Sequence, residues 1–191
     1  TGYCTDVWFR EAKQFISSDL NKPFFVYLPL NAPHGPFNVP AEYVKPYLND
    51  TTIPTSRAYM YGMLASIDEN LGKLRAFLAE NGLDEQTLLI FMTDNGTAGG
   101  VSFKEGKNGP ILINGYNAGM RGKKGTPYEG GHRAACMIHW PGGELNEKKE
   151  ITQLSAHLDI FPTLIELCSL KVSQELPFDG ISLVPLLQNP G

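Results

Sequence analysis

The sequence predicts an α/β domain, a parallel or mixed sheet covered by helices, and three features of its patterning carry that expectation. Residues 24–30 and 87–93 are short, continuous apolar runs of the kind that form buried strands. Between them an apolar stripe at helical spacing marks one long amphipathic helix. Strand, helix, strand in that order implies a right-handed parallel crossover.

Taken in order, Thr5 can cap a first helix whose apolar positions are Trp8, Ala12, Phe15 and Ile16. Pro23 then leads into the run at 24–30, rich in aromatic and β-branched residues. Residues 31–56 are dense in Pro, Asn and His and read as a long loop, a length that in compact domains often serves function. Met60, Met63, Leu64, Ile67, Leu71, Leu74 and Leu78 give the long helix its stripe, and Asn81-Gly82 supplies its stop. The run at 87–93 passes straight into Asp94-Asn95-Gly96. Residues 96–132 are glycine-rich and polar, a second long loop. Residues 134–140 are a third strand candidate, closed by Pro141-Gly142-Gly143. A last helix is expected near Asp159 as its N-cap, with Pro162 in the first turn and Phe161, Leu164, Ile165 and Cys168 buried. Asp179-Gly180 reads as a turn.

A length of 191 residues fits one domain with a sizeable core, and 42% hydrophobic with 19% charged residues is the balance of a soluble globular protein. No run of about 18 apolar residues exists, which excludes a transmembrane helix. The formal charge of −4 and the lack of a basic stripe argue against nucleic acid as a partner. Cys4, Cys136 and Cys168 are odd in number and widely spaced, so neither a disulfide framework nor a zinc site is expected. Cys136 and Cys168 lie in apolar runs and are expected as buried thiols. The opening Thr1-Gly2-Tyr3-Cys4-Thr5-Asp6 has no initiator Met and no strand ahead of its first helix. The chain therefore reads as cut from something longer, and the lack of a signal peptide says nothing about compartment.

In open α/β sheets, ligands bind outside the carboxyl ends of the strands. His34 follows the first expected strand, Asp94 and Asn95 the second, and Lys124 sits in the loop before the third. Asp94 and Asn95 offer one charged and one neutral hard oxygen, suited to calcium or magnesium rather than zinc. The alternative is a plain turn, since Asp-Asn-Gly is a common turn former. Two ligands also fall short of the roughly 6–8 oxygens that calcium takes. His34 lies between two prolines in Ala32-Pro33-His34-Gly35-Pro36 and can donate to an anion or serve as a proton donor; the alternative is a surface histidine. His132, His139 and His157 show no partner spacing and are read as structural. Lys123-Lys124-Gly125-Thr126 fails the Walker pattern, which needs Gly-Lys followed directly by Ser or Thr, and on its own fits a solvated lysine pair. Two glycosylation sequons occur, at Asn49 and Asn95; a metal on Asn95 would block the second.

The loop Met120-Arg-Gly-Lys-Lys-Gly-Thr-Pro-Tyr-Glu-Gly-Gly-His-Arg133 resembles the second sulfatase signature, Arg-Gly-x-Lys-Gly-x-x-x-Glu-Gly-Gly. It agrees at Arg121, Gly122, Lys124, Gly125, Glu129, Gly130 and Gly131. Further stretches resemble the family in order: Pro23-Phe-Phe-Val-Tyr-Leu, Ala32-Pro-His, Ser66-Ile-Asp-Glu-Asn, Thr93-Asp-Asn-Gly, His157-Leu-Asp-Ile-Phe-Pro-Thr163 and Asp179-Gly-Ile-Ser-Leu. The resemblance spans nearly the whole chain.

What it implies is the later part of a single catalytic domain of alkaline-phosphatase-like fold that hydrolyses sulfate esters, small or on a sulfated glycan. It implies a calcium ion, ahead of magnesium, with Asp94 and Asn95 matching the family's later pair of ligands. His34 matches the histidine on the sulfate and leaving-group side, and Lys124 a sulfate-binding lysine. The family's nucleophile is a formylglycine hydrate made from the Cys or Ser of a Cys/Ser-x-Pro-Ser-Arg motif. Here Cys4 leads to Thr-Asp-Val, Cys136 to Met-Ile-His and Cys168 to Ser-Leu-Lys, and no Ser completes the motif. The family's early aspartate pair is also absent. These 191 residues alone are accordingly expected to be inactive, the nucleophile lying upstream. Two alternatives remain: a phosphodiesterase or phosphonate hydrolase of the same superfamily, and a non-catalytic relative that binds calcium or sulfated glycans. The resemblance favours a periplasmic or extracellular location.

Overall fold

Three helices carry the core of the first unit or pack beside it: α1 (Cys4–Ser17), α2 (Ala41–Leu48) and α3 (Thr55–Glu80). The structure, a computed structural model, describes residues 1–98, 102–108, 111–143, 145, 149–173 and 177–188. It divides into two units, Thr1–Asp84 with Asn95–Cys136, and Glu85–Asp94 with Met137–Gly191.

Helix α1 buries Thr5, Phe9, Ala12 and Ile16, a stripe at helical spacing. The expected face holds at Ala12 and Ile16 and changes at its flank. Phe9 takes the core, while Trp8 and Phe15 stay 45% and 56% exposed. Thr5 does not cap the helix: it lies inside the first turn, and Tyr3 takes the N-cap position without a side-chain bond. Helix α3 matches its stripe at Met63, Ile67, Leu74 and Leu78, whereas Leu64 is exposed. Its end follows the expected Asn81-Gly82 stop. Gly82 takes φ +67°, Leu83 N–H donates to Leu78 C=O (2.8 Å), and Gly82 N–H donates to Ala79 C=O (3.0 Å). That is a Schellman turn, and Leu83 packs onto the same core as Leu78.

The core of this unit is Phe9, Ile16, Leu74 and Leu78, with Phe24, Val26, Leu28 and Leu30 packed against it. Residues 24–30 therefore correct the first strand expectation. Even-numbered side chains face the core, and Phe25 and Tyr27 are 73% and 79% exposed. Yet the run pairs with no neighbour among the described residues. Alternation decides which side chains turn inward; a strand also needs a hydrogen-bonded partner.

The long loop at 31–56 is corrected too, because it contains α2. Pro46 inside that helix removes a backbone donor and hides it from a propensity reading. What holds α2 is packing: Val44 is buried, and α3 approaches so closely that a Cβ on Gly62 would sit 3.2 Å from Tyr43 C and O. The second loop, 96–132, is likewise structured, with strands β2 (Ser102–Lys104) and β3 (Ile111–Asn114) paired antiparallel and a short helix α4 (Glu129–His132).

For the second unit, β1 (Leu89–Met92) pairs with β4 (Cys136–His139), close to two of the expected strands. Helices α5 (Ile160–Leu167) and α6 (Val184–Gln188) follow. Helix α5 starts where expected, but its inward face differs. Thr163 is buried while Phe161 is 52% exposed, set edge-on against Phe178. Cys136 and Cys168 are exposed, which corrects the expectation of buried thiols. Apolar neighbours in sequence bury a thiol only where a further layer covers that face, and among the described residues the β1–β4 sheet has two strands.

Asp159 does not cap α5 with its side chain. Its Oδ2 accepts the Ala156 N–H (2.7 Å) and its Oδ1 the Ile181 N–H (2.9 Å). Thr163 Oγ1 donates to Asp159 C=O (2.6 Å) and accepts Leu183 N–H (2.8 Å). This pair of side chains ties the start of α5 to residues 181–183. The two N–H donors hold the Asp159 carboxyl below the usual carboxylate range. A depressed folded pKa means stability present above the unfolded value, about 4, and lost as pH falls through the folded one. Asp159→Asn cannot accept from both N–H groups and is expected to cost about 1–3 kcal/mol at pH 7. Thermal denaturation from pH 7 to 3 checks this, with the gap between wild type and variant narrowing below pH 4.

Candidate functional site

The site grows from the carboxyl end of β1, where Thr93 leads to Asp94, Asn95 and Gly96. Asp94 is exposed and Asn95 half-buried. Asn95 Nδ2 donates to Gly96 C=O (3.1 Å), which leaves its Oδ1 as the end available to a cation. From here the backbone is stitched to the glycine-rich loop at 121–131. Gly96 N–H donates to Gly131 C=O (2.9 Å), and Lys124 N–H to Thr97 C=O (3.0 Å).

Within that loop Gly130 N–H donates to Arg121 C=O (2.7 Å) and Gly131 N–H to Tyr128 C=O (2.7 Å). Thr126 Oγ1 accepts from Lys123 N–H (3.1 Å) and donates to Lys123 C=O (2.7 Å), closing the turn that carries Lys124. The segments touch backbone to backbone. A Cβ on Gly96 would lie 1.9 Å from Gly130 O, one on Gly130 2.4 Å from Gly122 O, and one on Gly131 2.3 Å from Thr126 O. Only glycine permits that approach. The Arg121 guanidinium stacks 3.6 Å from the centroid of the Tyr128 ring, which fixes one end of the loop. Lys124, three residues further on from Arg121, is exposed.

The sulfatase family model matches residues 1–170. The chain belongs to the sulfatase family. It is 29% identical over 192 residues to uncharacterized sulfatase YdeN of Escherichia coli (strain K12), covering 98% of this chain and 31% of that protein. It is 30% identical over 187 residues to N-acetylgalactosamine-6-sulfatase of Rattus norvegicus, covering 96% and 32%. Among solved structures, Ps i-CgsB in complex with k-i-k-neocarrahexaose superposes with a TM-score of 0.82 at 31% identity, over 100% of this chain and 39% of that one. The α/β, alkaline-phosphatase-like class expected from the sequence is the class of these neighbours. The sulfatase chain spans about a third of the length of the curated relatives it matches.

Of the residues singled out from sequence, the sulfatase loop and residues 95–97 form one hydrogen-bonded assembly, so Asn95 and Lys124 share a scaffold. Asp94 adjoins it through the chain. His34 stands in a separate loop, exposed, with its Nδ1 2.8 Å from Gly35 C=O and its backbone N–H bonded to Asn31 C=O (3.0 Å). Among the described residues no group of three or more His, Cys, Asp or Glu is arranged to hold a metal. The side-chain oxygens of Asp94 and Asn95 are of the type that a hard cation takes.

Thr126, an architectural residue of the signature loop, closes the lysine turn, while Asn117, buried at 5% exposure, escaped the sequence. Asn117 falls in a polar stretch where an Asn carries no distinguishing pattern. The only visible signal was the glycine density nearby.

Proposed function

We propose that this chain is part of an enzyme that hydrolyses sulfate esters. In it Asp94 and Asn95 are calcium ligands, Lys124 binds the sulfuryl oxygens, and His34 assists the leaving group. The single observation that carries the proposal is the backbone assembly joining residues 95–97 to 121–131, which holds an oxygen donor and an exposed ammonium on one rigid frame.

The chemistry follows from the groups. A sulfate ester carries one negative charge spread over its non-bridging oxygens, and Lys124 offers a point charge with three N–H donors to them. That charge sits on a turn already locked by Thr126, so little reorganisation is needed when the anion arrives. A carbonyl can only accept, so the Nδ1 of His34 must carry the proton shared with Gly35 C=O. Protonation of the ring then adds Nε2–H, a proton that a departing alkoxide can take. Calcium, when bound, supplies Lewis-acid charge against the sulfuryl oxygens. In this reading the attacking oxygen comes from a formylglycine hydrate, whose Cys/Ser-x-Pro-Ser-Arg precursor does not occur in these 191 residues. The names of the relatives point to a saccharide sulfate as substrate class.

Sulfate release from an aryl sulfate by the full-length protein, before and after chelation, tests the metal assignment. Turnover should vanish with chelator, return with calcium, and stay at least tenfold lower in Asp94→Asn, because a neutral oxygen binds a hard cation more weakly. Turnover indifferent to both chelator and substitution would remove Asp94 and calcium from the site.

A further inference from the structure

We infer that Asn117 is a positioning residue for the sulfate-binding turn, setting the place of Lys124 without touching substrate; this rests on the sulfate-ester reading above. Its side chain is 5% exposed, so its amide is occupied inside the fold. Nδ2 donates to Met120 C=O at 2.5 Å and reaches Gly122 C=O at 3.5 Å, while Met120 N–H returns a bond to Asn117 C=O (3.2 Å). The two carbonyls that flank Arg121 thus converge on one amide. Between anchor and turn the chain passes through Ala118 at φ +56° and Gly119 at φ +71°. For alanine that left-handed conformation costs about 1–2 kcal/mol, so something must hold it, and the Asn117 bonds span it.

The effect reaches Lys124 through backbone alone. Gly122, held by Asn117, is the surface on which Gly130 packs, and Arg121 C=O receives Gly130 N–H. Gly131 then receives Gly96 N–H, and Lys124 N–H closes onto Thr97 C=O. A residue that swings the 120–122 carbonyls therefore shifts Lys124 against Asn95. Only a side-chain amide serves: it donates twice, whereas a carboxylate would face two carbonyl oxygens with no proton to share.

The test compares Asn117→Ala, Asn117→Asp, Lys124→Ala and the double variant Asn117→Ala/Lys124→Ala in the full-length enzyme. Readouts are kcat and KM on an aryl sulfate, inhibition by inorganic sulfate, and the thermal midpoint. Asn117→Ala should lower kcat/KM about 10–100-fold and weaken sulfate inhibition, with Asn117→Asp worse. In the Lys124→Ala background the same change should add no more than about twofold, because its route to the substrate is already gone. Should Asn117→Ala not fold, Asn117→Ser, which keeps one donor, takes its place in the cycle. Multiplying effects in the double variant would overturn the positioning role, as would unchanged kinetics in Asn117→Ala beside a crippled Lys124→Ala. A silent Lys124→Ala overturns the sulfate-ester reading itself, and this inference with it.

Discussion

Lys124→Ala is expected to reduce kcat/KM for a sulfate ester by about 10²–10³-fold while leaving the thermal midpoint nearly unchanged. The two halves of that expectation come from different atoms of one residue. The backbone N–H, bonded to Thr97 C=O, holds the loop and survives the substitution. The ammonium is exposed and makes no ion pair among the described residues, so its removal costs the fold little. In the proposed reading, what is lost is a cation that faces the charge growing on the sulfuryl group, the kind of preorganised donor whose deletion has effects of this size. Lys124→Arg should recover part of the rate, since charge is restored with a planar head in place of a point. Steady-state kinetics with a parallel thermal melt checks both halves.

The second large effect is expected from one methyl group. In Gly96→Ala the new Cβ meets Gly130 O at 1.9 Å, Gly130 C at 2.7 Å and Gly131 C at 3.1 Å. All three atoms are backbone, so no flexible side chain can yield, and the two segments must part. That breaks the Gly96–Gly131 bond and moves Asn95 and Lys124 relative to each other. Stability should fall by about 3 kcal/mol or more, at the upper end for overpacking, and kcat/KM by more than 10²-fold. Gly72→Ala is the control. It lies inside α3 with nothing within 4 Å of the new Cβ, and should stabilise by roughly 0.5–1 kcal/mol. Thermal denaturation of both variants, with exchange of the residue-96 amide, separates a steric clash from a general intolerance of substitution.

Particular residues show how far the sequence could be read. Helix α3 was legible because its stripe and the Asn81-Gly82 stop are local signals, and β1 because an apolar run ended at a turn. Helix α2 was not, since Pro46 argues against a helix unless one knows that α3 will press on Val44. Residues 24–30 were half legible: a continuous apolar run reads as a buried strand, yet only Phe24, Val26, Leu28 and Leu30 turn inward, and strand pairing is a property of the neighbour. Cys136 and Cys168 misled because apolar surroundings along the chain say nothing about the layer above.

The candidate site divides along the same line. Asp94, Asn95, His34 and Lys124 stood out through residue type and motif. The contacts that join residues 95–97 to 121–131 are backbone bonds between segments far apart in sequence, and these leave no side-chain signature. Their trace is negative: glycine at 96, 130 and 131, where any Cβ would collide with a carbonyl oxygen. Asn117 left less still, because its role depends on the two carbonyls it collects.

The most direct test of the account is a paired assay of the full-length protein, with calcium present, on an aryl sulfate and the matching aryl phosphate. Sulfate is expected to be released at the higher kcat/KM, and this release to be lost in Lys124→Ala. Preference for the phosphate would contradict it in favour of a phosphoesterase, and a folded, calcium-bound protein inert toward both would contradict it in favour of a binding protein.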